Sequence, residues 1–136
     1  MKRLFMLWVL VLSTLLTGCS RDDDINAFMG KLDGFTAEIV KRVETSKDKR
    51  AGVDAAQSYF DQNKGEIQAS YADIKNVRGF QVKEETMKKL TDSLLTNGTK
   101  VAGLKLKLMS QAMQDDELDK KLSKLEKSYD GLFSGG

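Results

Sequence analysis

Apolar residues recur at intervals of three and four along most of this chain, which is the spacing of a single buried face on an α-helix. The first such run is Ile25, Phe28, Met29, Leu32, Phe35, Ile39, Val40 and Val43, and it predicts a helix over residues 23–46. Asp22, Asp23 and Asp24 stand at its start and Lys41 and Arg42 near its end, the signs that the helix dipole favours at each terminus. Gly30 and Gly34 inside it each weaken it by about 1 kcal/mol relative to alanine.

A second helix is predicted over residues 49–78. Val53, Phe60, Ile67 and Ile74 are seven apart, with Ala56 and Val77 on the adjoining position of the same seam, as in a bundle or coiled coil. Asn63 and Ser70 interrupt that seam, so this face is expected to be partly wet or to specify register. Gly79 is expected to end the helix in a left-handed cap, with Phe80 folded back on Ile74. The third helix, residues 84–112, opens on Glu84 and Glu85 and carries Met87, Leu90, Leu94, Val101, Leu104 and Leu108 in heptad register.

Asn97-Gly98 is also a hairpin signal, and Leu104-Lys105-Leu106-Lys107-Leu108 alternates as a strand would. Helix is the reading adopted, because a lone two-stranded hairpin is marginal in water and the arm before Asn97 does not alternate; Gly98 is the natural place for a kink. The last helix, residues 115–131, starts at Asp115-Asp116-Glu117 and puts Leu118, Leu122, Leu125, Tyr129 and Leu132 on one seam, with Lys120, Lys121, Lys124 and Lys127 opposite. Four seams joined by short, proline-free connections predict an all-α fold, a small antiparallel bundle of about four helices over residues 25–133. Residues 134–136, Ser-Gly-Gly, read as a flexible tail.

The segment ahead of the bundle has a different pattern. Lys2 and Arg3 precede an apolar run over residues 4–12, followed by a less apolar stretch to Gly18. That three-part layout belongs to a secretion signal, and the run is too short for a comfortable permanent span, which needs about 20 apolar residues. Leu16-Thr17-Gly18-Cys19 resembles the bacterial lipobox: branched apolar, small, small, cysteine. The resemblance covers the leader alone. It implies cleavage between Gly18 and Cys19, a diacylglyceryl thioether on Cys19 and often a further acyl chain on the new amino group. Residues 1–18 are then a cleaved signal peptide and 19–24 a lipidated N-terminus with a short tether. In lipoproteins of this kind from enteric-type Gram-negative bacteria, an aspartate behind the cysteine commonly marks retention at the inner membrane. Ser20 stands there instead, which implies the outer membrane with the bundle facing the periplasm. In a single-membrane host the address would be the outer leaflet of the cytoplasmic membrane.

Charge and composition narrow the function. Of 22 basic and 20 acidic side chains, Lys2 and Arg3 leave with the leader, so the remainder balances. The charges intermingle without a single-sign stripe, and a nucleic-acid partner is not expected. Cys19 is the sole cysteine, so the domain has no disulfide and no thiol chemistry once its sulfur carries lipid. With no histidine there is no imidazole base and no ordinary haem or catalytic zinc ligand set. The acidic starts at residues 22–24 and 115–117 do not continue into an EF-hand loop and read as dipole-favoured helix starts. Glu84 and Glu85 point to different helix faces.

The remaining candidates are weak. Asn97-Gly98-Thr99 fits a glycosylation sequon that a bacterial envelope protein seldom uses. Lys100, Lys105 and Lys107 read as a solvated face rather than a head-group site, and Tyr59 and Tyr71 as core margin rather than a ligand edge. No metal and no cofactor beyond the covalent lipid is expected. The leading expectation is a non-enzymatic envelope lipoprotein, held on the bilayer through acylated Cys19, whose bundle binds a protein, a lipid or a small apolar ligand. The alternative is a structural lipoprotein of wall or membrane. The leader resembles that of the murein lipoprotein, but that family is one unbroken heptad helix ending in a wall-linked lysine, whereas this sequence breaks at Gly79 and ends in Gly136. An enzyme working through carboxylates alone is the remaining alternative.

Overall fold

A computed structural model describes residues 20–134; the signal segment, Gly18 and Cys19 lie outside the described residues. The first helix, α1 (Asp22–Thr45), has Asp22, Asp23 and Asp24 as its first turn, inside the segment expected as tether. Ile25, Phe28, Leu32, Phe35, Ile39 and Val43 are all buried along one stripe. Its C-terminus is closed by the next element: the Lys49 ammonium donates to the carbonyls of Val43, Glu44 and Ser46 at 3.2, 2.8 and 2.8 Å, supplying partners for groups the helix leaves unbonded. Asp48 caps α2 (Lys49–Ile74) by accepting from the Ala51 N–H.

The second helix ends earlier than its seam predicts, and not through a left-handed glycine. Lys75 stays helical in φ and ψ, and among the described residues no φ is positive. Arg78 turns extended and opens a single 3₁₀ turn at Gly79–Gln81, in which the Gln81 N–H bonds the Arg78 carbonyl at 2.8 Å and the Gln81 side-chain oxygen accepts from the Arg78 N–H at 3.0 Å. Val82 supplies the buried apolar contact of this segment, with Val77 packed beside the core. Phe80 does not fold back on Ile74; it is 82% exposed.

Helix α3 (Glu84–Lys107) runs unbroken through Asn97 and Gly98, so the hairpin alternative fails. It stops before residue 112, however. Leu108 leaves helical geometry (φ −100°, ψ 8°) as it turns its side chain into the core, and a one-turn helix, α4 (Met109–Ala112), follows. The buried face of α3 includes Thr86 and Asn97, while Met87, expected on the seam, lies outside the core and is 38% exposed. Asp115 accepts from the N–H groups of Glu117 and Leu118 to start α5 (Asp116–Asp130). All five predicted seam residues of α5 and the turn after it, Leu118, Leu122, Leu125, Tyr129 and Leu132, are buried.

The four long helices form an all-α bundle whose consecutive members run antiparallel. Helix α1 packs on α2 and α3, and α5 packs on the same two, which places α1 opposite α5 and α2 opposite α3. The 75–83 connection therefore crosses one end of the bundle diagonally, passing the start of α1, where the Arg21 N–H bonds the Gln81 carbonyl at 2.9 Å and the Lys83 N–H bonds Asp22 at 3.1 Å. As a result α1 and α3 lie side by side in parallel: Asp22 meets Lys83, Asp33 meets Asn97 and Glu44 meets Lys107. Helices α2 and α5 are likewise parallel, joined by Arg50 to Asp115 and Glu117 and by Lys121 to Asp54.

Candidate functional site

The expected sorting residue, Ser20, is exposed and leads into α1. Its hydroxyl donates to the Asp22 carboxylate. The hydroxyls of Ser20 and Thr86 and the Lys83 N–H hold the Asp22 carboxyl below its ordinary range. The lipidation residue Cys19 and the cleavage partner Gly18 lie outside the described residues, immediately ahead of this serine. Among the described residues no helix is long and apolar enough to cross a membrane.

The far end of the bundle holds a different surface. With 24 residues in α1, about 36 Å separates its two ends at 1.5 Å per residue. From the level of Thr45 along α5, the end of α3, the α4 turn and α5 border an open groove of about 550 Å³ lined by Ala102, Leu106, Met109, Ala112 and Met113 together with Lys105, Asp116, Asp119 and, further along α5, Glu126. Leu106, Met109 and Met113 are 70%, 49% and 80% exposed. The break at Leu108 creates this surface: Leu104, Leu108 and Ala112 are spent on the core, and the residues between them are turned outward. Lys105 is fixed by the Ser123 hydroxyl at 2.7 Å and Asp119 at 3.2 Å, giving one wall a fixed polar edge. Methionine is flexible and polarisable, suited to contacts that adapt to their partner.

The other sequence candidates do not converge. Tyr59 lies against Phe35 with the Arg42 guanidinium 4.8 Å over its ring, and Tyr71 lies 4.7 Å from Phe133; both are half-buried margins of the core. Glu84 is exposed, and Glu85 pairs with Lys89 at 2.7 Å, which holds its carboxyl below the ordinary range. Asp115 is held low by Arg50 and by the helix N–H groups it caps. Glu85 and Asp115 therefore stay ionised at neutral pH as charge partners. Of the candidate lysines Lys100, Lys105 and Lys107, two are engaged, Lys105 with Asp119 and Lys107 with Glu44. Among the described residues no group of three or more acidic, histidine or cysteine side chains is placed to hold a metal ion.

Sequence reasoning missed the distal groove. Its signal was there in Leu106, Met109 and Met113, spaced by three and four but offset from the seam through Leu104 and Leu108. No protein-family model matches the chain, and neither the curated proteins nor the solved structures yield a match.

Proposed function

We propose that this chain is an envelope lipoprotein precursor, cleaved before Cys19, whose bundle is a non-enzymatic interaction domain. In this reading Cys19 carries a diacylglyceryl thioether and an N-acyl chain. Two or three chains anchor firmly because each buried methylene contributes about 0.8 kcal/mol. Ser20 directs the protein to the outer membrane, bundle towards the periplasm. The observation that carries the interaction role is the separation of the two ends: the chain enters at Ser20, while exposed Leu106, Met109 and Met113 gather at the opposite end. A bundle tethered at one end and apolar at the other presents its contact surface away from the bilayer. Large exposed apolar side chains grouped around a groove are what a binding surface needs and what an inert spacer lacks.

The test combines mass and crosslinking. Intact mass of the protein purified from envelopes is expected to begin at Cys19 with acyl mass added, and Cys19→Ser to leave unprocessed precursor. A photo-crosslinking residue at position 113 is expected to capture one partner that Leu106→Glu abolishes, while the same probe at position 65 on the outer face of α2 captures none. An unmodified cysteine removes the lipoprotein reading; equal capture from both positions removes the groove.

A further inference from the structure

We infer that the 75–83 crossover rests on the phospholipid bilayer itself, with Phe80 inserted at the boundary of the head groups and the acyl chains; this rests on the lipid anchor proposed for Cys19. Residue 21 is pinned to the crossover, since the Arg21 N–H bonds the Gln81 carbonyl at 2.9 Å and its guanidinium donates to the Asp73 carbonyl at 3.0 Å. Only Ser20 stands between Arg21 and Cys19. Two residues span at most about 7 Å even when extended, comparable to the head-group layer, about 6 Å on each side of the hydrocarbon. No stalk separates this end of the bundle from the bilayer, and the side chain next to Gln81 is Phe80, 82% exposed.

The surrounding chemistry fits a phosphate-bearing surface. Lys75, Arg78 and Lys83 flank Phe80 along the crossover, which contains no acidic residue. All three are exposed, and among the described residues none of them makes an ion pair through its side chain, unlike Lys105, Lys107 and Lys121 elsewhere. The carboxylates nearest the anchor are partly spoken for: Asp22 by Ser20, Thr86 and the Lys83 N–H, and Asp24 by Arg21. Asp23, Asp73 and Glu84 stay exposed beside them, and Lys83 acts through its charge on Asp22 and Glu85, so the attraction is local to the crossover, led by Lys75 and Arg78, rather than a net charge of the whole end. An aromatic ring among cations is the usual make-up of a segment that lies in the membrane interface. A bundle held this way stands upright, its far end about 36 Å above the bilayer, the length of α1.

The experiment uses the acylated protein carrying Phe80→Trp, reconstituted into phospholipid vesicles with brominated acyl chains. The one native tryptophan, Trp8, precedes the proposed cleavage site, so the processed variant has a single tryptophan, at position 80, which can be excited selectively over the tyrosines. Its emission is expected to shift to the blue and to be quenched about twofold or more by the brominated lipid, while Leu106→Trp at the far end is unaffected. The combined Lys75→Glu, Arg78→Glu and Lys83→Glu changes are expected to abolish the quenching at position 80 with the protein still floating on the vesicles. If position 80 behaves like position 106 in protein that floats, the docking is wrong and the anchor stands. If the mass shows no acyl chain or a retained leader, the anchor and the docking fall together.

Discussion

The Thr36 hydroxyl and the Tyr129 phenol lie 2.5 Å apart, oxygen to oxygen, in the middle of the core, with the two residues 0% and 3% exposed. They join α1 to α5, the helices that face each other diagonally across the bundle and meet through their side chains. Tyr129 reaches across between Phe35 and Phe60, whose ring centroids lie 6.3 and 6.4 Å away. Each hydroxyl depends on the other to avoid being buried unpaired. Thr36→Val and Tyr129→Phe are each expected to cost about 1 to 3 kcal/mol, and the double substitution to cost clearly less than their sum. Urea denaturation of the four proteins measures this; strict additivity would mean that the two groups do not interact.

The same burial gives the stability an alkaline limb. Desolvation pushes the Tyr129 phenol up from 10.0 to about 12, against the smaller, lowering effect of its bond to Thr36. Between those values the folded protein keeps a proton that the unfolded chain releases. Stability supplied by the neutral phenol is therefore intact below pH 10 and is lost as the pH rises through 10 towards 12. Thermal melts at pH 9 and pH 11 are expected to fall further apart in the wild type than in Tyr129→Phe, which lacks the group. An equal fall in both proteins would place the alkaline loss elsewhere.

Two of the helices were legible residue by residue. The seams of α1 and α5 pair large aliphatic and aromatic side chains with charged faces at unbroken spacings, so period alone identifies the apolar core residues, though not Thr36, which is buried in α1 with them. The ends of α2 and α3 were not legible, for a topological reason. Local chemistry at Gly79 offers a helix cap with Phe80 tucked in, but the segment must cross the bundle end to reach the opposite corner. It uses Val82 as its anchor and leaves Phe80 outside. Asn97 occupies a seam position with 0% exposure: its amide nitrogen donates to Asp33 at 2.6 Å and to the Ser93 carbonyl at 2.8 Å, while its side-chain oxygen is buried without a hydrogen-bond partner. That first partner is 64 residues away in sequence and cannot be read from the helix period. The distal groove was hidden likewise, since it exists only where the chain leaves the seam at Leu108. For the proposed lipid site the position is reversed: Gly18 and Cys19 were read from sequence alone and lie outside the described residues.

Glycine substitutions separate close packing from mere helix weakness. A Cβ at Gly52 would sit 2.6 Å from the Ser46 Cβ and 2.9 Å from the Arg42 carbonyl oxygen, a backbone atom at the tight α1–α2 corner. At Gly98 a Cβ would meet nothing within 4 Å, and the backbone there is plain helix. Gly52→Ala is expected to destabilise by about 1 to 3 kcal/mol, and Gly98→Ala to stabilise by about 0.5 to 1 kcal/mol. Chemical denaturation reads both. A loss at position 98 would indicate that Asn97-Gly98 needs a turn conformation and that α3 is not continuous.

The residue behind the proposed anchor offers the last test, of address rather than stability. Ser20 is exposed and outside α1, and its hydroxyl bonds only the neighbouring Asp22, so an aspartate fits there without disturbing the core. Ser20→Asp is expected to melt within about 0.5 kcal/mol of the wild type, as surface changes usually do. In a host with two membranes, density-gradient separation is expected to place the wild type in the outer-membrane fractions and Ser20→Asp in the inner. Because the variant keeps Cys19 and the fold, such a shift would be a matter of sorting, not of lost lipid or misfolding. If the wild type already travels with the inner membrane and Ser20→Asp moves nothing, then Asp22, Asp23 and Asp24 or a different code set the address. The proposed lipidation of Cys19 would be untouched by that result.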